Sequence, residues 1–175
     1  METTGLNPRL DEIIELAVIL FAWDRKSFKI EGILDSYCGL REPSRPVSPG
    51  AYRVHGIPPG LLRGQSLDRG RVEEILEAAE FIVAHNAGFD RAFVQKEFPR
   101  ARHKTWLCSL QGINWWKRGF SSRGLQNLLQ GHGIRIERAH RAEDDVLGGL
   151  KLLNKRKEGN ETYLAELLKN HQDRG

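Results

Sequence analysis

The sequence predicts a single α/β domain, a mixed β-sheet with helices on both faces. Three observations carry this. Ile13–Trp23 is apolar on both of its alternating faces, as a strand in the middle of a sheet is. Beyond residue 68, short apolar runs alternate with stretches of helical spacing, the order of an α/β fold. And 175 residues, 39% hydrophobic and 29% charged, are enough for one domain, residues 1–175, with a sizeable core.

Taken in order, residues 1–6 are small and polar, with Gly5 as a turn signal. Ile13–Trp23 is the first long strand, interrupted in charge only by Glu15. Ser27–Leu40 is a more peripheral strand of mixed pattern, joined to the first by a hairpin turn at Asp24–Lys26. Arg41–Gly60, with Pro43, Pro46, Pro49, Pro58 and Pro59, reads as a long irregular crossing pinned by Val47, Tyr52, Val54 and Ile57. Asp68 caps a helix to about Ala79 with Val72, Ile75, Leu76 and Ala79 on one face. Phe81–Ala84 is a short buried strand, and a helix follows that Phe98-Pro99 stops. Thr105–Leu110 is another strand, Leu125–Leu129 a helix closed by Gly131 and Gly133, and further helices run from about Ala142 to Arg156 and Glu161 to Leu168.

Composition excludes several classes. The longest apolar run, Leu16–Trp23, is far too short to span a bilayer, so no membrane role is expected. Two cysteines, Cys38 and Cys108, make neither a disulfide framework nor a zinc site, which points to a reducing, cytoplasmic setting. A net charge of +4 and a pI near 9.2 suit a polyanionic partner.

Two stretches carry candidate chemistry. In Ala78–Asp90 a strand turns through His85-Asn86-Ala87-Gly88 into a helix bearing Asp90, so a carboxylate stands in a loop fixed by a strand end. The plain alternative is an acid that favours the helix dipole. At 140–145, His140 lies in a loop and Asp145 about one turn into the next helix. A rigid carboxylate beside a mobile imidazole suits a metal ligand and a general base. The alternative is a solvated acidic helix start. Trp115, Trp116, Lys117 and Arg118 offer either a stacking surface for a single strand or indoles packed inward.

Together, Glu-Thr-Thr-Gly-Leu at 2–6, His-Asn-Ala-x-Phe-Asp at 85–90 and His-x4-Asp at 140–145 resemble the motifs of the DnaQ-like 3′→5′ exonucleases, in the branch with a histidine in its third motif (DEDDh). His55-Gly56-Ile57 resembles the family's additional element, and Leu125–Ile134 its leucine-rich helix. The resemblance implies an RNase H-like fold and two divalent ions, Mg²⁺ or Mn²⁺. It implies Glu2, Asp90 and Asp145 as metal carboxylates, and His140 as the group that takes the proton from the attacking water. Thr3, Thr4, Gly5, Leu6, His55, Ile57, Asn86 and Phe89 match positions that grip the terminal nucleotide, although Leu6, Ile57 and Phe89 equally suit a core. The partners implied are single-stranded DNA or RNA 3′ ends and, in some relatives, a DNA polymerase.

One departure matters. The family's first motif is Asp-x-Glu, and Met1 stands at the x position. The bridging aspartate, and the apolar run that forms the first, central strand, are expected immediately before it. A positive α-amino group replaces a negative ligand. Either the start has been placed too late, or the chain is a non-catalytic end-binding or polymerase-docking module. In both cases the sheet should show a gap, or a rearranged pairing, where the leading strand belongs.

Overall fold

The computed structural model describes residues 1–156 and 161–173. Strands β1 (Glu2–Thr3), β2 (Ile13–Trp23) and β3 (Ile30–Leu40) form an antiparallel sheet in that order. Strand β4 (Phe81–Ala84) pairs in parallel with β5 (Thr105–Cys108) in a separate one. The β2–β3 hairpin runs from Glu15↔Leu40 to Trp23↔Ile30. Its turn is longer than Asp24–Lys26. The Asp24 backbone carbonyl accepts from the Phe28 amide, and its carboxylate accepts from Lys26 and Ser27, which delays the return strand to Ile30.

The proline-rich crossing is more ordered than its composition suggests. It holds α1 (Pro49–His55) and α2 (Pro59–Leu62), each opened by a proline, with Ser48 capping the first through the Ala51 amide. Asp68 caps α3 (Arg69–Ala78) by accepting from Arg71 N–H, as its spacing predicts. Helix α4 (Ala87–Glu97) ends at Phe98 before Pro99. A single helical turn, α5 (Ser109–Gly112), then α6 (Leu125–Gly131), α7 (Ala142–Leu153) and α8 (Tyr163–Gln172) complete the chain. Between α5 and α6 the tryptophan pair sits at a 3₁₀ turn and not on an amphipathic helix.

Side-chain alternation shows which helices cover which face. Along β4, Phe81 and Val83 join a cluster with Trp115, Leu128, Leu152 and Leu164, while Ile82 joins Leu76, Phe93 and Phe98. In β5, Leu107 and Trp106 divide the same way. So α6, α7 and α8 lie on one face and α3 and α4 on the other, as predicted.

The sheet itself is divided. Between the outer edge of β2, from Leu16 to Phe21, and the outer edge of β4 lies a cavity of about 630 Å³. Ile75 of α3, Ala79 just beyond it, and Val146, Leu150 and Leu153 of α7 contribute apolar walls. At the far end Phe21 and Phe81 meet edge to face, ring centres 6.2 Å apart. Among the described residues no strand pairs across it.

Candidate active site

The candidate catalytic residues are delivered by two helices, a strand and a loop. Glu2 lies on β1, opposite Glu15 of β2. Asp90 stands in the first turn of α4. The chain reaches it by leaving β4 at Ala84 and turning through Asn86, whose left-handed φ of 73° redirects it into the helix. Asp145 lies in the first turn of α7, and His140 precedes that helix with φ 61°. Glu2, Asp90, His140 and Asp145 all line the polar end of the cavity between β2 and β4.

Their electrostatics show mutual proximity. Burial pushes the Glu2 carboxyl up to about 7; the Met1 ammonium opposes this, while Asp145, Glu15 and Asp90 add to it. Burial also raises Asp90, against the Met1 ammonium. It raises Asp145 as well, against a hydrogen bond from Gln126 and the charge of His140. Three carboxylates held above their usual range form a site short of positive charge. Hard oxygen donors of this kind fit a divalent cation such as Mg²⁺ or Mn²⁺. Among the described residues, though, no three His, Cys, Asp or Glu side chains are gathered tightly enough to hold a metal ion. The donor set fits the group; the donors are not drawn into a coordination shell.

Three supports were not among the candidates. Gln126 Nε2 donates to Asp145 Oδ1 at 2.7 Å and orients that carboxylate. His85 Nε2 faces the Arg123 carbonyl at 2.8 Å. A carbonyl only accepts, so Nε2 carries the proton and Nδ1 accepts from the Ser109 hydroxyl at 3.0 Å. Burial lowers the His85 pKa and favours this neutral form. Glu15, 1% exposed, accepts from Arg141 Nε at 2.9 Å and Nη2 at 2.5 Å, and from the Ala142 amide at 2.8 Å. It thereby ties the start of α7, next to His140, to strand β2. The signal was a lone carboxylate inside an apolar strand, which burial tolerates only with partners.

The candidate nucleotide-gripping residues divide. Asn86 and Phe89 line the cavity, and Phe89 leans on Phe93 with ring centres 5.0 Å apart. Leu6 is 83% exposed, so it is no core residue. Ile57 is: at 1% exposure it packs with Ile14 and Leu62, and its side chain is spent there. Thr3 and Thr4 are buried, with hydroxyls bonded to the Gly5 carbonyl and to Asp11. Gly5 has no room for a Cβ, which would fall 2.6 Å from the Asp11 carboxylate. His55 is buried; its Nδ1 accepts from Ile57 N–H, and among the described residues its Nε2 has no hydrogen-bond partner.

Comparison with known proteins bears on the family and the fold. Residues 1–153 match the RNase T family model, described as exonuclease. The chain is 32% identical over 164 residues to the DNA polymerase III subunit epsilon of Treponema pallidum, covering 83% of this chain and 68% of that one. It is 31% identical over 161 residues to the PolC-type DNA polymerase III of Thermotoga maritima, covering 83% of this chain but only 10% of that much longer protein. A 3′-5′ exonuclease DinG of Staphylococcus aureus is 26% identical over 159 residues, covering 87% of this chain and 17% of the relative. Among solved structures, exonuclease I superposes with a TM-score of 0.67 at 22% identity, over 87% of this chain and 38% of that one. Exonuclease X in complex with 5′ overhanging duplex DNA superposes with a TM-score of 0.61 at 22% identity, over 94% and 95%. These likenesses identify the two sheets, flanked by helices on both faces, as an RNase H-like fold, and with the family match they make this chain a member of the DnaQ-like exonuclease family.

Proposed function

We propose that this chain is the catalytic domain of a metal-dependent 3′→5′ exonuclease that releases nucleoside monophosphates from nucleic-acid 3′ ends. The observation that carries the reading is the convergence of Glu2, Asp90, His140 and Asp145, from β1, α4, α7 and the loop before α7, on one cavity. Glu2, Asp90 and Asp145 would hold two ions, Mg²⁺ or Mn²⁺. Such a pair, when bound, clamps the attacking and leaving oxygens and offsets the charge that develops. His140, exposed on its loop, would accept the proton of the attacking water. Phe89 and Leu6 offer apolar surface to the terminal base, and Asn86 a polar edge. Single-stranded DNA fits the exonuclease I–ssDNA complex, which shares this fold, and a polymerase partner fits the DNA polymerase III relatives.

We further read the cavity between β2 and β4 as the seat of another strand. Glu2 faces Glu15 in antiparallel register, so Met1 faces Leu16, and residues placed before Met1 would face Ala17, Val18, Ile19, Leu20 and Phe21 in turn. That path runs between two open edges with apolar walls on both sides. A carboxylate on the residue just before Met1 would come next to Glu2, where the Met1 ammonium now stands. The chain as given is therefore expected to cut poorly.

The test is to add an apolar five-residue strand ending in aspartate before Met1. With Mn²⁺ and a 5′-labelled single strand, the extended protein should release mononucleotides from the 3′ end. Asp145→Asn in the extended protein should lower the rate more than about 100-fold, beyond the usual cost of an outer-sphere loss. An extended protein that is folded, binds single strands and still releases nothing would overturn the exonuclease reading.

A further inference from the structure

Two adjacent tryptophans have opposite fates. Trp115 is fully buried, its Nε1–H donating to the Ser109 carbonyl at 2.8 Å, with the Tyr163 ring 4.9 Å away. Trp116 is 58% exposed and belongs to neither of the large apolar clusters. Its one ring contact of note is the Arg123 guanidinium, 5.7 Å from the ring centre. An indole more than half in water, with a cation on its face, is no part of the core.

Beside it opens a polar notch of about 350 Å³ lined by Gln111, Asn114, Trp116, Arg123, Asn170 and Asp173. Its frame is fixed. Asn170 donates to the Gly112 carbonyl at 2.8 Å, and Arg118 pairs with Glu166 of α8 at 2.7 Å, anchoring the turn that carries Trp116. An aromatic face bordered by amides and one carboxylate suits a nucleobase: the ring stacks, and the edge exchanges hydrogen bonds. The Asp173 carboxylate only accepts, so it suits the N–H edge of a base and repels a phosphate. Phosphates find Lys117 and Arg123 instead, both exposed and, among the described residues, paired with no carboxylate.

The notch also shares a wall with the catalytic cavity. The Arg123 carbonyl accepts from His85, and Ser109, on the helical turn that bears Gln111, bonds the other ring nitrogen. Gly124, Leu125 and Gln126 then line the catalytic cavity itself. We infer that the notch is a second nucleobase subsite, which holds a base of the bound single strand upstream of the terminal nucleotide, stacked on Trp116 with its phosphates at Arg123 and Lys117. It rests on the nuclease reading only for which end of the strand lies in the neighbouring cavity.

The test is binding without cleavage. Fluorescence anisotropy of a 5′-labelled single strand of roughly 16 nucleotides, in EDTA, gives Kd for the unaltered chain, Trp116→Ala, Trp116→Phe and Arg123→Ala. Trp116→Ala should weaken binding roughly 5- to 100-fold, the range for a lost base–aromatic stack, with Trp116→Phe keeping most of the affinity. Replacing one nucleotide at a time by an abasic residue should reveal an internal position whose loss matches that of Trp116→Ala and adds nothing to it. A thermal melt of Trp116→Ala close to that of the unaltered chain ties its loss to the surface. Equal affinity of Trp116→Ala and the unaltered chain overturns the subsite, as does an abasic scan that responds only at the 3′ terminus. So does an unaltered chain that binds no single strand. Failure of the extended protein to cut leaves this measurement readable, so the two proposals fail separately.

Discussion

At the scale of single residues the site works against the fold. Glu2 is held with its carboxyl up to about 7, from an ordinary value of 4.5, because burial and three neighbouring acids disfavour its charge. The sign follows from linkage. Between the two values the native state binds the proton that the unfolded state has released, so stability falls as pH rises through this window. Glu2→Gln removes a charge that the fold resists. It should therefore raise stability at pH 8 by about 1–2 kcal/mol and leave it unchanged at pH 4, a comparison that urea unfolding at the two pH values reads directly. A Glu2→Gln chain that is less stable at pH 8 would mean that the carboxylate already has a compensating partner. His140 belongs to the same pattern. Its φ of 61° is a left-handed conformation that a non-glycine residue keeps only where its surroundings impose it.

At the scale of elements, Glu15 fixes the start of the helix that follows His140. Strand β2 and helix α7 are joined by one carboxylate that binds the Arg141 guanidinium twice and caps the Ala142 amide. Arg141 keeps 25% of its side chain in water, so its loss of a partner is only partly desolvated. Glu15→Gln should cost about 2 kcal/mol, below the 3–5 expected for a fully buried pair. In the extended protein the same change should lower kcat more than it raises KM, because it loosens the loop of His140 and not a binding surface. A cost under about 0.5 kcal/mol in urea unfolding would assign the junction to other contacts. This pair was invisible to sequence reading because 126 positions separate its members. Local signals served better. Phe81–Ala84, the Asp68 cap and the stop at Phe98-Pro99 all stand where period and capping chemistry place them. The short helices at Pro49 and Pro59 were hidden by the expectation that prolines mean loops, although Ser48-Pro49 is itself a helix-start signal. Trp115 and Trp116 could not be told apart by composition, since the tertiary positions of Phe120, His132 and Tyr163 decide which indole is covered.

At the scale of the whole molecule, the divided sheet makes the order of the backbone uneven. Along Leu16–Phe21, alternate amides bond to β3 and the others point across the cavity toward β4. Likewise β4 has β5 on one side and the cavity on the other. Amides without a strand partner exchange with solvent by small local openings, whereas paired ones wait for larger ones. Hydrogen exchange resolved by residue should therefore show fast and slow amides alternating through 16–21 and again through 81–84 in the chain as given. Both edges are also open to pairing with another chain, so this form should self-associate as its concentration rises. In the extended protein the alternation should vanish. The cavity-facing amides of β2 and β4 should slow together, because a strand seated between them pairs with both at once. Slowing confined to β2 would mean that the addition docks as an edge strand and leaves β4 apart. No slowing on either side would mean that the cavity takes no strand, and the carboxylates of the site would then have to hold their ions without a neighbour before Met1.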